Sequence, residues 1–464
     1  MDHKEETPHN SKVELVASTG DTTQHVDDRD DGLQGYFETA QWTADGTALL
    51  TSSSSNLISG YIVPEDLLSP TATRPLKLTP QATIQLPEPS NVLAGAPYFR
   101  LAEPWTQQLL VSARDHPIQL FYLSSPSSSS SSPSPSPASS YPLTQSRSET
   151  FLTATSLIWP SPGTHFITGS RNLLARFDVT RTGEEPLVRV KTIPSERHIS
   201  KGGGVGMRGT ISSLAAQPPD ANYASLVAAG TWTRWVGLYD FAQAGGSAAV
   251  AAWSIASAAT RDAGIGGNGV VQTIWSPCGR YLLVGERKAT GVLVYDVRVA
   301  GKLLGWLAGR EALGNQRISC DVYPGQDGSG GGGGGEAGFE VWSGTTSGIV
   351  KMWEGVGSRE GAHEPAWSWD AARNSTVGST CVHQSGTVVA TCSGSWEFPD
   401  DDDGSSGENE PLSQDISDSE GSDSAESDDS SDISRPTSPW MRRRNKESSL
   451  KIWSTLNNSE DAEP

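Results

Sequence analysis

One pattern of three short strands recurs seven times along the chain, and it constrains the fold more than any other feature. Each copy has a strand, a turn with Asp, Pro or Gly, an apolar strand, a polar turn and a third strand; the clearest is VQTIWSPCGRYLLVGERKATGVLVYDVR, Val271–Arg298. In six copies an aromatic residue closes the third strand at intervals of 56 to 62 residues; these are Tyr61, Phe121, Phe177, Tyr239, Tyr295 and Trp353. Repeated short strands at such a period indicate a β-propeller.

The seventh copy lacks its closing aromatic, because an acidic, serine-rich stretch follows its second strand. This stretch has fifteen acidic residues and no basic residue between Glu397 and Asp432. The next closing aromatic, Trp453, lies one ordinary repeat plus about 42 residues after Trp353. We therefore predict that Leu450–Trp453 is the missing third strand. The acidic stretch should loop out of the blade, since it cannot bury enough apolar surface to become ordered.

A ring of repeats needs a closing strand, because an unpaired sheet edge is a template for aggregation. In SKVELVAS, the residues Val13, Leu15 and Ala17 form an apolar face at period two. We predict that this segment is the outer strand of the last blade and pairs with Leu450–Trp453. The alternative is a disordered tail with a chance alternation.

These patterns predict an all-β fold, a seven-bladed WD40-type β-propeller with disordered insertions and acidic tail segments. The propeller should span residues 34–454. Disordered insertions, rich in serine, glycine or acidic residues, are predicted at about 125–147, 325–337 and 398–446. The predicted ends are a mostly disordered acidic N-terminus over 1–33, which contains the closing strand at 12–18, and a disordered C-terminus over 455–464.

The formal net charge of -20 comes almost entirely from the acidic stretch and the N-terminus, so the rest of the chain is nearly neutral. A nucleic-acid partner is therefore not excluded by the charge. The N-terminus lacks the basic and apolar regions of a signal peptide, and no run approaches the roughly 20 apolar residues of a membrane span. We expect a soluble, intracellular protein without a membrane partner. The four cysteines form no CxxC pair, so neither zinc nor a disulfide framework is indicated.

Two stretches imitate catalytic motifs. GIGGNG, from Gly264 to Gly269, fits GxGxxG, but the strand VVQTIW follows it instead of the helix that a dinucleotide fingerprint requires. Ser112, Asp115 and His116 lie too close together on one turn for the geometry of a catalytic triad. We therefore expect no enzyme, no cofactor, no metal site and no small-molecule substrate.

Several motifs, together with their order, resemble the telomerase Cajal body protein family. The resemblance covers the chain from about Gln34 to Trp453 and includes the acidic insertion. The motifs are RDHPIQLF from Arg114, GERKATGVLVYDVR from Gly285, REALGNQRISCDVYPG from Arg310, WSGTTSGIVKMWE from Trp342 and NSTVGSTCVHQSGTVVATCSG from Asn374. The serine and glycine insertions depart from the better-known members.

The resemblance implies a non-catalytic, nuclear, RNA-binding propeller. Members of the family recognise a short sequence in small Cajal body RNAs and telomerase RNA, deliver these particles to Cajal bodies, and are folded by the cytosolic chaperonin. A divergent branch is similar to proteins linked to pre-mRNA splicing. The alternative function is a protein-interaction scaffold that binds peptides. RNA binding needs a basic face, whereas a scaffold for basic peptides would present an acidic one.

The turns between second and third strands carry cations in four successive repeats. In a WD propeller these turns share one face with the loops that enter the first strands. The predicted RNA-binding residues on this face are Arg114, Arg171, Trp232, Arg234, Arg287, Lys288 and Arg317. Guanidinium groups would contact phosphates, and an aromatic such as Trp232 would stack on unpaired bases. Alternatively, each arginine is a structural ion pair, and Trp232 and its neighbour Trp235 pack in the blades.

Overall fold

The computed structural model describes residues 13–22, 35–69, 73–123, 136–145, 148–193, 206–218, 226–241, 249–324, 338–373, 375–397, 444–445 and 447–455. Regular structure in these ranges is almost entirely β-strand, with one 3-10 turn at Pro104–Thr106 and one π-helical turn at Ala258–Asp262. None of the helices in the described ranges has the length and apolar composition that crossing a membrane requires. The predicted disordered insertions and tails lie largely outside the described residues.

Seven antiparallel sheets, called blades one to seven in chain order, contain four strands each, counted from the centre outward. The strands of blade one are Phe37–Trp42, Ala48–Ser53, Leu57–Ile62 and Ala82–Gln85. Those of blade two are Ser90–Gly95, Gln108–Ala113, Ile118–Tyr122 and Ser139–Tyr141. Those of blade three are Ser156–Ile158, His165–Ser170, Leu173–Asp178 and Val188–Lys191. Those of blade four are Ile211–Ala216, Leu226–Thr231, Trp235–Asp240 and Ala249–Ser254.

The last three blades follow the same plan, and two of the seven carry a fifth strand at the outer edge. The strands of blade five are Val270–Trp275, Tyr281–Glu286, Ala289–Asp296 and Leu303–Ala312, with Gly361–His363 added in parallel. Those of blade six are Cys320–Tyr323, Phe339–Gly344, Ile349–Val356 and Trp367–Asp370. Those of blade seven are Val377–Val382, Val388–Ser393, Ser449–Ser454 and Glu14–Ser18, with Leu76–Lys77 added in parallel. The predicted seven-bladed β-propeller is confirmed.

A separate unit, Trp396–Arg444, begins after the second strand of blade seven. Its described residues lie in a two-stranded sheet of Trp396–Glu397 with Arg444–Asn445. The predicted acidic insertion otherwise lies outside the described residues.

The seven closing aromatics fill the spaces between blades. Each one is buried, and each belongs to a different apolar cluster shared with the preceding blade. Phe177 of blade three, for example, stacks on Phe166 at 4.9 Å in a cluster that also contains Leu120 and Tyr141 of blade two. Aromatic side chains bury a large area at low entropic cost, so one per repeat gives each interface an apolar anchor. The aromatic period in the sequence is therefore the period of the blade interfaces.

The missing third strand of blade seven lies where the aromatic spacing predicts it. Ser449–Ser454 pairs with Val388–Ser393 along six residues, so that Trp453 lies opposite Val389. On its other side, Glu14–Ser18 pairs antiparallel, with Leu15 opposite Trp453. One blade thus contains strands from both ends of the described chain, and this pairing closes the ring.

Part of the predicted insertion at about 125–147 is a strand. Ser139–Tyr141 is the fourth strand of blade two and pairs with Ile118–Tyr122. The reason is Tyr141, which is fully buried, packs on Phe166 at 5.0 Å and donates a hydrogen bond to the carbonyl of Val179 at 2.7 Å. A single buried aromatic thus gives this serine-rich stretch a place in the sheet.

We expect the closing strand to contribute measurably to stability. Val16 is fully buried at a bulge of this strand, between blades seven and one, so Val16→Ala should lower the free energy of unfolding by about 2 kcal/mol. Urea denaturation followed by tryptophan fluorescence measures this loss. The control is Glu14→Ala in the same strand, because its exposed pair with Arg74 contributes at most about 1 kcal/mol. Equal losses for the two variants would contradict the closing role.

Candidate nucleic-acid interface

A central cavity of about 780 Å³ is lined by the first strands of all seven blades. The turns between second and third strands and the loops entering the first strands lie at one end of it, here called the upper face. From this face, Trp232, Arg287 and Arg317 reach the cavity, together with Asn315 and Gln316. We call these five residues the channel mouth. Three of the seven predicted RNA-binding residues thus share one cavity.

The predicted cations occupy two different places in their turns. Arg114, Arg171 and Arg287 each directly precede a residue with left-handed backbone, whereas Arg234 is itself left-handed at φ 65°. The residues that follow the first three are Asp115, Asn172 and Lys288. Arg234 therefore does not occupy the same turn position as the other three arginines. Its different backbone conformation sends the side chain to a different partner.

Arg234 binds a buried carboxylate of the neighbouring blade. Its Nε and Nη2 donate to the two carboxylate oxygens of Glu286 at 2.7 and 2.9 Å, and Nη2 also donates to the carbonyl of Gly266 at 3.0 Å. The Glu286 side chain is only 1 % exposed. A bidentate pair in this setting is structural, because either partner alone would leave a buried charge without compensation.

The GIGGNG loop wraps around this buried carboxylate. The backbone N–H of Gly269 donates to Glu286 at 3.2 Å, and a Cβ on Gly267 would lie 2.4 Å from a Glu286 oxygen. Gly267 has φ +114°, a conformation that only glycine adopts readily. The loop leads directly into the strand Val270–Trp275, as the sequence predicts. The glycines are thus explained by close packing on Glu286.

Trp232 and Arg287 form a cation–π pair beside the cavity. The guanidinium of Arg287 lies 5.5 Å from the Trp232 ring centroid, and its Nε donates to the carbonyl of Asn268. Trp232 is 48 % exposed. Its neighbour Trp235 instead packs partly buried against the core between blades three and four. Trp232 therefore presents aromatic surface at the channel mouth, whereas Trp235 is a packing residue.

Arg114, Arg171 and Lys288 lie on the upper face away from the cavity lining. All three are exposed, and no side-chain hydrogen bond connects them to the other described residues. Exposed guanidinium and ammonium groups of this kind can contact phosphates without losing an internal partner. These three side chains place positive charge around the channel mouth.

Two charged side chains of the cavity lining, the carboxylate of Glu38 and the guanidinium of Arg317, influence each other's pKa. Arg317 donates from Nη2 to the carbonyl of Ser212 at 2.7 Å. Burial lowers the pKa of Arg317, and Glu38 acts in the opposite direction. Burial raises the pKa of Glu38, while Arg317 lowers it. Arginine stays cationic at neutral pH, so the wall offers both hydrogen-bond donors and an acceptor.

Arg310, on the fourth strand of blade five, is a fully buried cation. Its Nε donates to Ser343 at 3.2 Å, and Nη2 donates to the carbonyl of Ile318, which fixes the loop that carries Arg317. Nη1 has no partner among the described residues, and no carboxylate pairs with this side chain in the same part of the chain. Arg310 thus acts through the Ile318 contact as a buried support of the loop that carries Arg317.

Deeper in the cavity lies a carboxylate, that of Asp321. Burial raises the pKa of Asp321 to about 6, although the backbone N–H groups of Val322 and Val382 donate to its carboxylate and act to lower it. The bond from Val382 connects the first strands of blades six and seven. Asp321 thus has a packing role that explains its place in the cavity.

The second stretch that resembles a catalytic motif, which contains Ser112 and His116, does not have the geometry of a catalytic site. Ser112 is buried in the second strand of blade two, and the Nδ1 of His116 lies 2.6 Å from the carbonyl of Arg114 within the turn. No cluster of metal-ligating side chains occurs among the described residues.

Sequence reasoning overlooked Glu286, Arg310 and Glu38. A signal existed for Glu286, because a carboxylate ends the otherwise apolar strand Tyr281–Glu286. Arg310 could have been noticed as a cation at an inward position of an apolar strand. Nothing in the sequence separated Glu38 from other acidic residues, since its place in the cavity lining depends on ring closure.

The fold and the repeat define a WD-repeat β-propeller. No protein-family model matches the chain. It is 25 % identical over 371 residues to telomerase Cajal body protein 1 of Bos taurus and of Homo sapiens, covering 79 % of this chain. It is 24 % identical over 330 residues to guanine nucleotide-binding protein negative regulator 1 of Schizosaccharomyces pombe, covering 71 % of this chain and 73 % of that protein. The predicted resemblance is confirmed. The chain spans 59 % and 58 % of the bovine and human relatives' lengths.

We expect Arg234 to act in folding. Arg234→Ala should lower the free energy of unfolding by about 3–5 kcal/mol, because it leaves the Glu286 carboxylate buried and unpaired. Arg171→Ala, an exposed arginine of the same face, should change it by less than about 0.5 kcal/mol. Chemical denaturation measures both.

The double variant Arg234→Ala/Glu286→Gln tests the cause. It should regain part of the lost stability, since it removes the unpaired charge. A double variant whose loss equals the sum of the two single losses would show that the pair is not the reason.

Proposed function

We propose that this chain is a non-catalytic RNA-binding WD-repeat protein that binds small nuclear RNA of the Cajal body or telomerase type. In this proposal it acts in the nucleus and delivers the RNA or assembles its ribonucleoprotein, with the cytosolic chaperonin as a folding partner. The names of the bovine and human relatives support this choice of RNA. The observation that carries it is the collection of exposed cations around an aromatic channel mouth.

The electrostatic argument uses only one face of the propeller. Arg114, Arg171 and Lys288 are exposed there without side-chain hydrogen bonds to other described residues, and Arg287 and Arg317 lie at the channel mouth. Phosphate contacts by such cations supply most non-specific affinity for nucleic acids. Trp232 supplies a surface for stacking of an unpaired base. Arg234 is left out of this set, because Glu286 occupies its guanidinium.

A second candidate function is a protein-interaction scaffold, for example in pre-mRNA splicing. The specific observation in its favour is the Glu38 carboxylate in the cavity, since an acidic group there could attract a basic peptide. Nuclease treatment separates the two functions. Partners that co-purify through RNA are lost after RNase, whereas partners of a scaffold stay bound. Cross-linking the protein to RNA in cells, followed by sequencing, identifies the RNA itself.

RNA affinity should fall when the exposed cations are removed. Arg114→Ala and Arg171→Ala should each weaken binding of a labelled, mixed-sequence single-stranded RNA. Each should also reduce the slope of log affinity against log salt by about 0.7, the value for one phosphate contact on a single strand. Fluorescence anisotropy across a series of potassium chloride concentrations measures both quantities.

The matched control for this test is Arg100→Ala. Arg100 is 69 % exposed, but it lies between the first and second strands of blade two, at the end of the ring opposite the upper face. It should leave affinity and slope unaltered. If all three variants behave alike while remaining folded by circular dichroism, the upper face is not the RNA-binding face.

A further inference from the structure

We infer that the channel mouth holds one unstacked guanine base of a single-stranded RNA and that Glu38 reads this base. The inference rests on the proposed RNA-binding function and names the base that the same site selects. It requires three properties of the cavity: an acceptor for two adjacent N–H groups, donors for a carbonyl oxygen, and an aromatic surface. Each of them is provided by a different blade or loop.

Glu38 supplies the acceptor. It is the second residue of the first strand of blade one, is half-buried, and lines the cavity. Its carboxylate makes no hydrogen bond to the other described residues, so both oxygens are available. An ionised carboxylate accepts two parallel hydrogen bonds. Guanine alone among the four RNA bases presents two neighbouring donors, N1–H and the N2 amino group, on its Watson–Crick edge.

Arg317 and Asn315 supply the donors. Arg317 uses one N–H for the carbonyl of Ser212, and a guanidinium has five N–H groups, so others can face the cavity. Asn315 is exposed at the same mouth and can donate from its amide. The O6 carbonyl of guanine accepts such bonds, whereas adenine has a donor amino group at this place. The donor and acceptor arrangement thus discriminates between the two purines.

Trp232 supplies the stacking surface. Arg287 covers part of the indole at 5.5 Å, yet nearly half of Trp232 remains exposed at the mouth. The pair is held by a rigid support. The turn that carries Trp232 also carries Arg234, whose bonds to Glu286 bind it to the strand end before Arg287. Because the protein holds the Trp232 ring in place before RNA binds, stacking of a base on it does not carry the entropic cost of ordering a mobile side chain.

The charge around Glu38 favours RNA over a basic peptide. Arg287 and Arg317 line the cavity together with Glu38. The other carboxylate of the lining, that of Asp321, already accepts two backbone N–H bonds. A cationic side chain would be repelled by these two guanidinium groups, whereas the phosphates of a nucleotide would be attracted by them. We therefore expect the Glu38 carboxylate to select between bases and not to attract a cationic side chain of a peptide.

The experiment compares base preference before and after Glu38→Gln in the full chain. The probes are fluorescent oligouridines with one central guanosine, adenosine or inosine. Wild type should bind the guanosine probe about tenfold more tightly than the adenosine probe, which is the effect of one good bidentate contact. Inosine lacks the N2 amino group, so its affinity should fall between them. Glu38→Gln should reduce the guanosine preference to about twofold or less.

Two controls accompany the variant. Glu65→Gln changes an exposed carboxylate of blade one outside the cavity lining and should keep the tenfold preference. Glu38→Asp keeps the charge but shortens the reach, so it should lose the preference even if Glu38→Gln folds poorly. Circular dichroism and thermal unfolding report the fold of each variant.

The outcomes separate this inference from the proposed function. Wild type that binds all probes equally, or a guanosine preference that survives in Glu38→Gln and Glu38→Asp, would overturn the base-reading role and leave RNA binding intact. Wild type that binds neither these probes nor mixed-sequence RNA would refute the proposed function itself. An arginine-rich peptide that displaces the probe and loses its own binding in Glu38→Gln would show that the pocket reads a cationic side chain.

Discussion

The contact between each closing aromatic and the preceding blade is the interaction on which the rest of this structure depends. A single four-stranded sheet has two faces to cover, and neither can be buried within the blade. Because Phe121, Phe177 and the other closing aromatics each fill a separate interface, every blade is stable only between two neighbours. The requirement holds all the way around, so blade seven must also contact blade one. Closure by the N-terminal strand follows from this requirement.

The channel mouth is a product of the same closure, since residues from distant parts of the chain meet only when the ring is complete. Glu38 belongs to blade one, Trp232 to blade four and Arg317 to the loop before blade six. A buried ion pair and a buried arginine then fix their positions. Arg234 and Glu286 join the turns of blades four and five, and Arg310 holds the loop that contains Arg317. The residues of the channel mouth are therefore supported by buried polar contacts.

Periodic features were predictable from the sequence because they reflect packing that every blade repeats. The aromatic spacing located Ser449–Ser454 across the long insertion, and a period-two alternation located Glu14–Ser18. Side-chain direction was not predictable. Arg171 and Arg234 occupy similar turns, yet a left-handed backbone at Arg234 and a carboxylate on the next blade send one side chain inward while the other stays in solvent. Glu38 could not be found either, because its neighbours come from other blades.

The construction of blade seven also sets an order in time. Leu450 bonds to Thr19, a partner 431 residues earlier in the chain. At a synthesis rate of about 5–20 residues per second, the N-terminal strand is made roughly 20 to 90 s before its partner strand leaves the ribosome. For most of this interval blade one lacks the strands of blade seven against which Tyr61 packs, so an apolar flank of the nascent propeller stays uncovered. Folding of this chain therefore has a long exposed phase that is imposed by ring topology.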